Sequence, residues 1–91
     1  MSLKKQLGDI ADKAIEEAAL ITALSVTEQL LEAAQMGKKE FDVDVTNENI
    51  QIMSSETFLN LLSLLLDGVE VKFIEKVAFS IFSTKHLRFT W

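Results

Sequence analysis

The sequence predicts an α+β fold in one small domain, residues 1–91. The expected order is α-β-β-α-β-β, with a long N-terminal helix and a small, largely antiparallel sheet. Three observations predict it. An unbroken stretch from about residue 4 to 36 carries apolar residues at three- and four-residue spacing, with no proline in the whole chain. Glu40-Phe41-Asp42-Val43-Asp44-Val45 alternates strictly. Leucine-rich Thr57–Asp67 closes on Gly68 and is followed by a second alternating stretch.

In the first helix Leu3, Leu7, Ile10, Ala14, Ala18 and Ile21 set the spacing, and Leu20, Leu24 and Leu31 extend it. Ala18 to Val26 is apolar nearly all round, which predicts a helix covered on more than one face. About 28 residues at 1.5 Å each give roughly 42 Å, longer than the core of so small a globule, so the excess is expected to pack on another subunit. Seven alanines from Ala11 to Ala34 permit close helix–helix approach. Gly37 is the expected stop.

Thr46-Asn47-Glu48-Asn49 reads as a turn and Ile50-Gln51-Ile52-Met53 as a second strand, together a β-hairpin with residues 40–45. Ser54 or Ser55 then caps the second helix, with Glu56 in its first turn where the dipole favours an acid. Its seven large apolar residues predict the central core helix. Val69, Val71 and Phe73 mark a third strand. Val77 to Phe82 reads as strand or apolar loop, Ser83-Thr84-Lys85 as a turn and Leu87 to Trp91 as the terminal strand.

Composition narrows the function classes. The chain is 48% hydrophobic with no cysteine and one histidine, which excludes disulfides and thiolate metal sites. No metal and no cofactor is expected. A domain of this size buries only about 60–65% of its unfolded surface, so oligomerisation is the expected source of further burial. Net charge is −5, concentrated in residues 1–45, where five lysines stand against nine acids; a general nucleic-acid binder would be basic. No apolar run reaches the ~20 residues of a membrane span and no signal-like segment is read, which predicts a cytoplasmic location.

Cationic and aromatic groups concentrate in the tail. The only histidine, arginine and tryptophan fall in His86-Leu87-Arg88-Phe89-Thr90-Trp91. On a strand Leu87, Phe89 and Trp91 face one side while His86, Arg88 and Thr90 face the other. One reading is an anion or nucleotide site in which Lys85, His86 and Arg88 meet phosphate and Phe89 or Trp91 stacks a base. The other is a terminal strand that packs inside and is merely polar outside. Lys38 and Lys39 either add charge to that site or cap the first helix. The acids Glu40, Asp42 and Asp44, about 6.6–6.8 Å apart along one strand face, suit either mimicry of DNA or a solvated edge. Ser83 and His86 lack an activating acid, and Glu16/Glu17 and Asp42/Asp44 read as surface pairs, so no enzyme is expected.

The segments Glu32-Ala33-Ala34-Gln35-Met36-Gly37-Lys38, Asp67-Gly68-Val69-Glu70-Val71 and Phe89-Thr90-Trp91 resemble small accessory proteins of tailed phages. The resemblance spans most of the chain and implies a virus-encoded factor that acts on its host by binding. Two modes follow from it. One is a homo-oligomeric counter-defence sponge that sequesters a signalling cyclic nucleotide. The alternative is an inhibitor that contacts a host protein through an apolar or an acidic, DNA-mimic-like surface, with Phe79, Ile81 and Phe82 as apolar candidates.

Overall fold

A computed structural model describes residues 2–79 and 82–91. Helix α1 (Leu3–Gln35) leads into strand β1 (Glu40–Asp44), the short helix α2 (Ile50–Met53), helix α3 (Glu56–Leu65) and strands β2 (Glu70–Phe79) and β3 (Phe82–Thr90). The fold is α+β, a long N-terminal helix over a small antiparallel sheet, as the sequence predicts.

Local chemistry sets the ends of α1. The Ser2 hydroxyl accepts from the Lys5 N–H at 3.3 Å, supplying one orphan helix donor with a partner. At the other end Gly37 adopts φ 82°, its N–H donates to the Ala34 carbonyl and the Lys38 N–H reaches back to Ala33. This six-to-one closure satisfies the last carbonyls and needs the left-handed conformation that glycine adopts without strain. Thr22 and Thr27 lie within the apolar stretch because each hydroxyl donates one turn back, to the carbonyls of Ala18 and Ala23.

The sheet order is β1-β3-β2, both pairings antiparallel, with Phe41, Phe89 and Val71 in one row and Val43, Leu87 and Phe73 in the next. These residues face the helices. Phe89, Leu87, Phe58 and Leu62 have no exposed surface, and Ala19, Ala23, Val26 and Leu30 of α1 join them in one cluster. Small residues at 19 and 23 let α1 lie close over α3.

Three expectations are corrected. Ile50–Met53 is helical, not a strand: the Asn49 side chain accepts from the Ile52 N–H and starts a helical turn, so residues 40–53 form no hairpin. Ser83-Thr84-Lys85 is not a turn but part of β3, paired with Val77, Lys76 and Glu75. Of the two readings of Val77 to Phe82, strand holds for Val77–Phe79, which belongs to β2, while Ile81 lies outside the described residues. Helix α3 is not buried all round: Phe58 and Leu62 face inward while Leu64 and Leu65 are exposed.

The molecule is thin, 52 × 36 × 16 Å, one helical layer on one sheet. Its radius of gyration of 14.8 Å exceeds the roughly 12 Å of a compact chain this long. Among the described residues no helix is long and apolar enough to cross a membrane.

Candidate functional site

Alternation along β3 divides the tail between the two sheet faces. His86 and Arg88 point away from the helices; Lys85, Leu87 and Phe89 point to the helix side. The cationic groups therefore do not converge. On the outer face Arg88 sits opposite Asp42 in the β1–β3 ladder. Its Nε donates to Asp42 Oδ1 at 2.9 Å and its Nη2 to Oδ2 at 3.0 Å, while Glu40 Oε1 lies 2.6 Å from the same Nε. Lys76 reaches across from β2 to Asp42 Oδ2 at 2.8 Å.

This cross-strand network governs the electrostatics. The Arg88 hydrogen bonds, and then Lys76, hold the Asp42 carboxyl down at about 2 despite a desolvation cost that opposes them. Arg88 is in turn held more firmly protonated, chiefly by its hydrogen bond to Asp42. Asp44 is lowered by hydrogen bonds from Thr46, whose N–H donates to Oδ1 at 2.8 Å. The Nε–Nη2 edge of Arg88 is already taken by two carboxylates.

The other candidates are placed as follows. His86 Nε2 lies 2.8 Å from Thr84 Oγ1, so the imidazole is engaged on the outer face; Ser83 lies on the opposite face and forms no pair with it. Lys85 Nζ lies 3.7 Å from Glu75 and 3.5 Å from Ser83 Oγ. Phe89 is fully buried and offers no stacking surface, a correction to that half of the base-stacking expectation. Trp91 is 39% exposed, and its backbone N–H donates to the Lys39 carbonyl at 3.1 Å. The fold thus gathers Lys38, Lys39 and Trp91 at one end of the sheet and leaves Arg88 on its far face. Lys38 also closes α1 through its backbone N–H. Among the described residues no three metal-ligating side chains come together.

Two apolar surfaces carry what the tail does not. Trp91 forms one wall of an open cleft of about 340 Å³, whose other walls are Leu30, Leu31 and Ala34 of α1 and Leu65 and Leu66 at the end of α3. The second surface is the back of α1. Leu3, Leu7, Ile10, Ile21, Leu24 and Leu31 are all exposed, Leu24 at 74%. At 100° per residue they lie opposite the inward stripe of Ala19, Ala23, Val26, Leu30 and Ala33. Every position from Ser2 to Ala14 is exposed, so the N-terminal third of α1 projects beyond the domain. The sequence shows both stripes, but spacing alone does not tell which one the chain's own sheet covers. No protein-family model, no curated protein and no solved structure matches this chain.

Proposed function

We propose that this chain is a non-enzymatic binding protein that works as a homo-oligomer through apolar contact. In the setting its phage resemblance implies, it acts by direct contact with a host protein. The observation that carries this reading is the exposed apolar back of α1 on a molecule only 16 Å thick. Six exposed large aliphatic side chains along one helix face, interrupted by Ala14, Glu17 and Glu28, are more than scattered surface apolar residues and mark an interaction surface. A helical extension of about twelve residues is marginal in water without packing. The pairing of the Arg88 Nε–Nη2 edge with Asp42 and Glu40 and the separation of Ser83 from His86 leave anion capture at the tail and hydrolytic chemistry with less support.

Sedimentation equilibrium at micromolar concentration tests the oligomer, which is expected at a multiple of 10.2 kDa. A clean monomer overturns it. For the host contact, affinity capture with the native chain is compared with capture by Trp91→Ala; a specific partner held at the cleft is lost from the variant.

Sequestration of a signalling nucleotide stands as the second reading, supported by the partly exposed Trp91, whose backbone is tied to that of Lys39 next to Lys38. A thermal-shift screen with cyclic di- and oligonucleotides separates the two. A ligand at a hundredfold excess over its Kd stabilises the folded state by about 2.7 kcal/mol. A flat response throughout the panel removes the nucleotide reading.

A further inference from the structure

The outward stripe of α1 steps alternately by four and three residues from Leu3 to Leu31, the seam period of a two-helix coiled coil. Its only charged members are Glu17 and Glu28. The ends of α1 are charged against its own dipole: the first turn holds Lys4 and Lys5 and no acid, and the last turn holds Glu32 and no base. Within the helix each end lacks the charge that the opposite end carries; Lys38 and Lys39 follow only after the stop at Gly37.

We infer that a second copy of this chain covers the stripe from Leu3 to Glu28, with the two α1 helices packed antiparallel in one register. The inference rests on the self-association reading and specifies its surface. In a parallel pair Glu17 and Glu28 would each meet their own copies inside the seam, and the lysine-bearing ends would lie together. Antiparallel packing removes both conflicts. It sets Lys4 and Lys5 of one helix beside the glutamate-bearing end of the other and opposes the two dipoles.

The seam glutamates choose the register. With Leu7 against the partner's Leu24 and Ile10 against the partner's Ile21, Glu17 falls next to the partner's Lys13. Glu28 falls next to the partner's Lys4 in the same arrangement. Both carboxylates then meet a lysine at the seam edge while four layers remain aliphatic. A slip of one heptad in either direction breaks this match: it sets Glu17 against the partner's Leu7 or the partner's Ile21. The left-handed supercoil of such a pair also takes up the drift of about 20° per heptad between the stripe and a straight helix.

Cross-linking tests this directly, because the chain has no cysteine of its own. Leu7→Cys and Leu24→Cys, both at exposed sites, are oxidised separately and as a mixture, with circular dichroism confirming that each folds. In the antiparallel register two copies of position 7 lie about 26 Å apart at 1.5 Å per residue, far beyond disulfide reach. The mixture is therefore expected to give a covalent dimer and each variant alone almost none. In addition, Glu17→Lys should weaken the dimer at least tenfold, and Glu17→Lys with Lys13→Glu should restore it. Efficient cross-linking of Leu7→Cys alone means a parallel pair and overturns the inference. No cross-link in a protein that still sediments as an oligomer overturns the inference and leaves self-association standing. A monomer by sedimentation overturns both.

Discussion

Arg88 and Asp42 close a two-point ion pair across the β1–β3 ladder, 46 residues apart in sequence, with Glu40 and Lys76 completing the set. Geometry of this kind joins two planar groups through parallel N–H···O bonds, which an ammonium cannot reproduce. The pair ties the terminal strand to the first one at the row where the β1 acids would otherwise repel one another.

Asp42→Asn is therefore expected to lower stability by about 1 kcal/mol in urea melts. The lowering of the carboxyl from 3.8 to about 2 would suggest more. Arg88 and Lys76 are over a third exposed, however, and water screens part of the attraction. Arg88→Lys should lose stability in the same direction. If Asp42→Asn melts like the native chain, the network is ornamental.

The same carboxyl predicts an acid limb. Its folded value lies below the unfolded one, so its contribution is fully present above about pH 4 and disappears as the pH falls toward 2. Over that interval the unfolded chain takes up the proton and the folded chain resists it. Stability measured from pH 5 to pH 2 should fall less steeply in Asp42→Asn than in the native protein. Asp44, lowered by Thr46, leaves part of the limb in the variant.

Core and surface leucines of α3 should separate cleanly. Leu62 has no exposed surface and packs in the central cluster, so Leu62→Ala is expected to cost roughly 2–5 kcal/mol. Leu64 is 75% exposed, and Leu64→Ala should stay within about 0.5 kcal/mol. Equal losses in urea would place α3 in a different orientation.

Two helix ends predict opposite signs. A methyl at Gly37 meets nothing within 4 Å, yet φ 82° is strained for alanine, so Gly37→Ala should destabilise by about 1 kcal/mol through the backbone alone. Asp67 closes α3 at φ 56°, and its negative charge lies at the helix C-terminus. Asp67→Asn keeps a side chain suited to that conformation and removes the unfavourable charge, which should stabilise by about 0.3–1 kcal/mol in thermal melts at low salt.

The sequence makes local structure legible and long-range pairing much less so. Helix α1 is readable from its period and Gly37, and the faces of β3 follow from alternation. Ile50–Met53 misleads because four residues with apolar ends fit a strand and a helical turn equally well, and a capping Asn49 decides between them. The site is harder. Nothing local tells that Asp42 neutralises Arg88, because the register that joins them depends on how the helices seat β1 and β3 together. Phe89 and Trp91 share one strand face, but which of them the helices cover depends on where α1 and α3 end.

The middle strand of the sheet comes after both of its neighbours in the chain. During translation α1 and α3 can coil as they leave the ribosome, since their hydrogen bonds are local. Strand β1 has no ladder to join until β3 has emerged, some forty residues later. In that interval both of its edges are open to any other extended segment, and one of them stays open in the finished sheet; Glu40, Asp42 and Asp44 make such pairing unfavourable. The carboxylates that bind Arg88 in the finished sheet first guard the nascent strand that carries them.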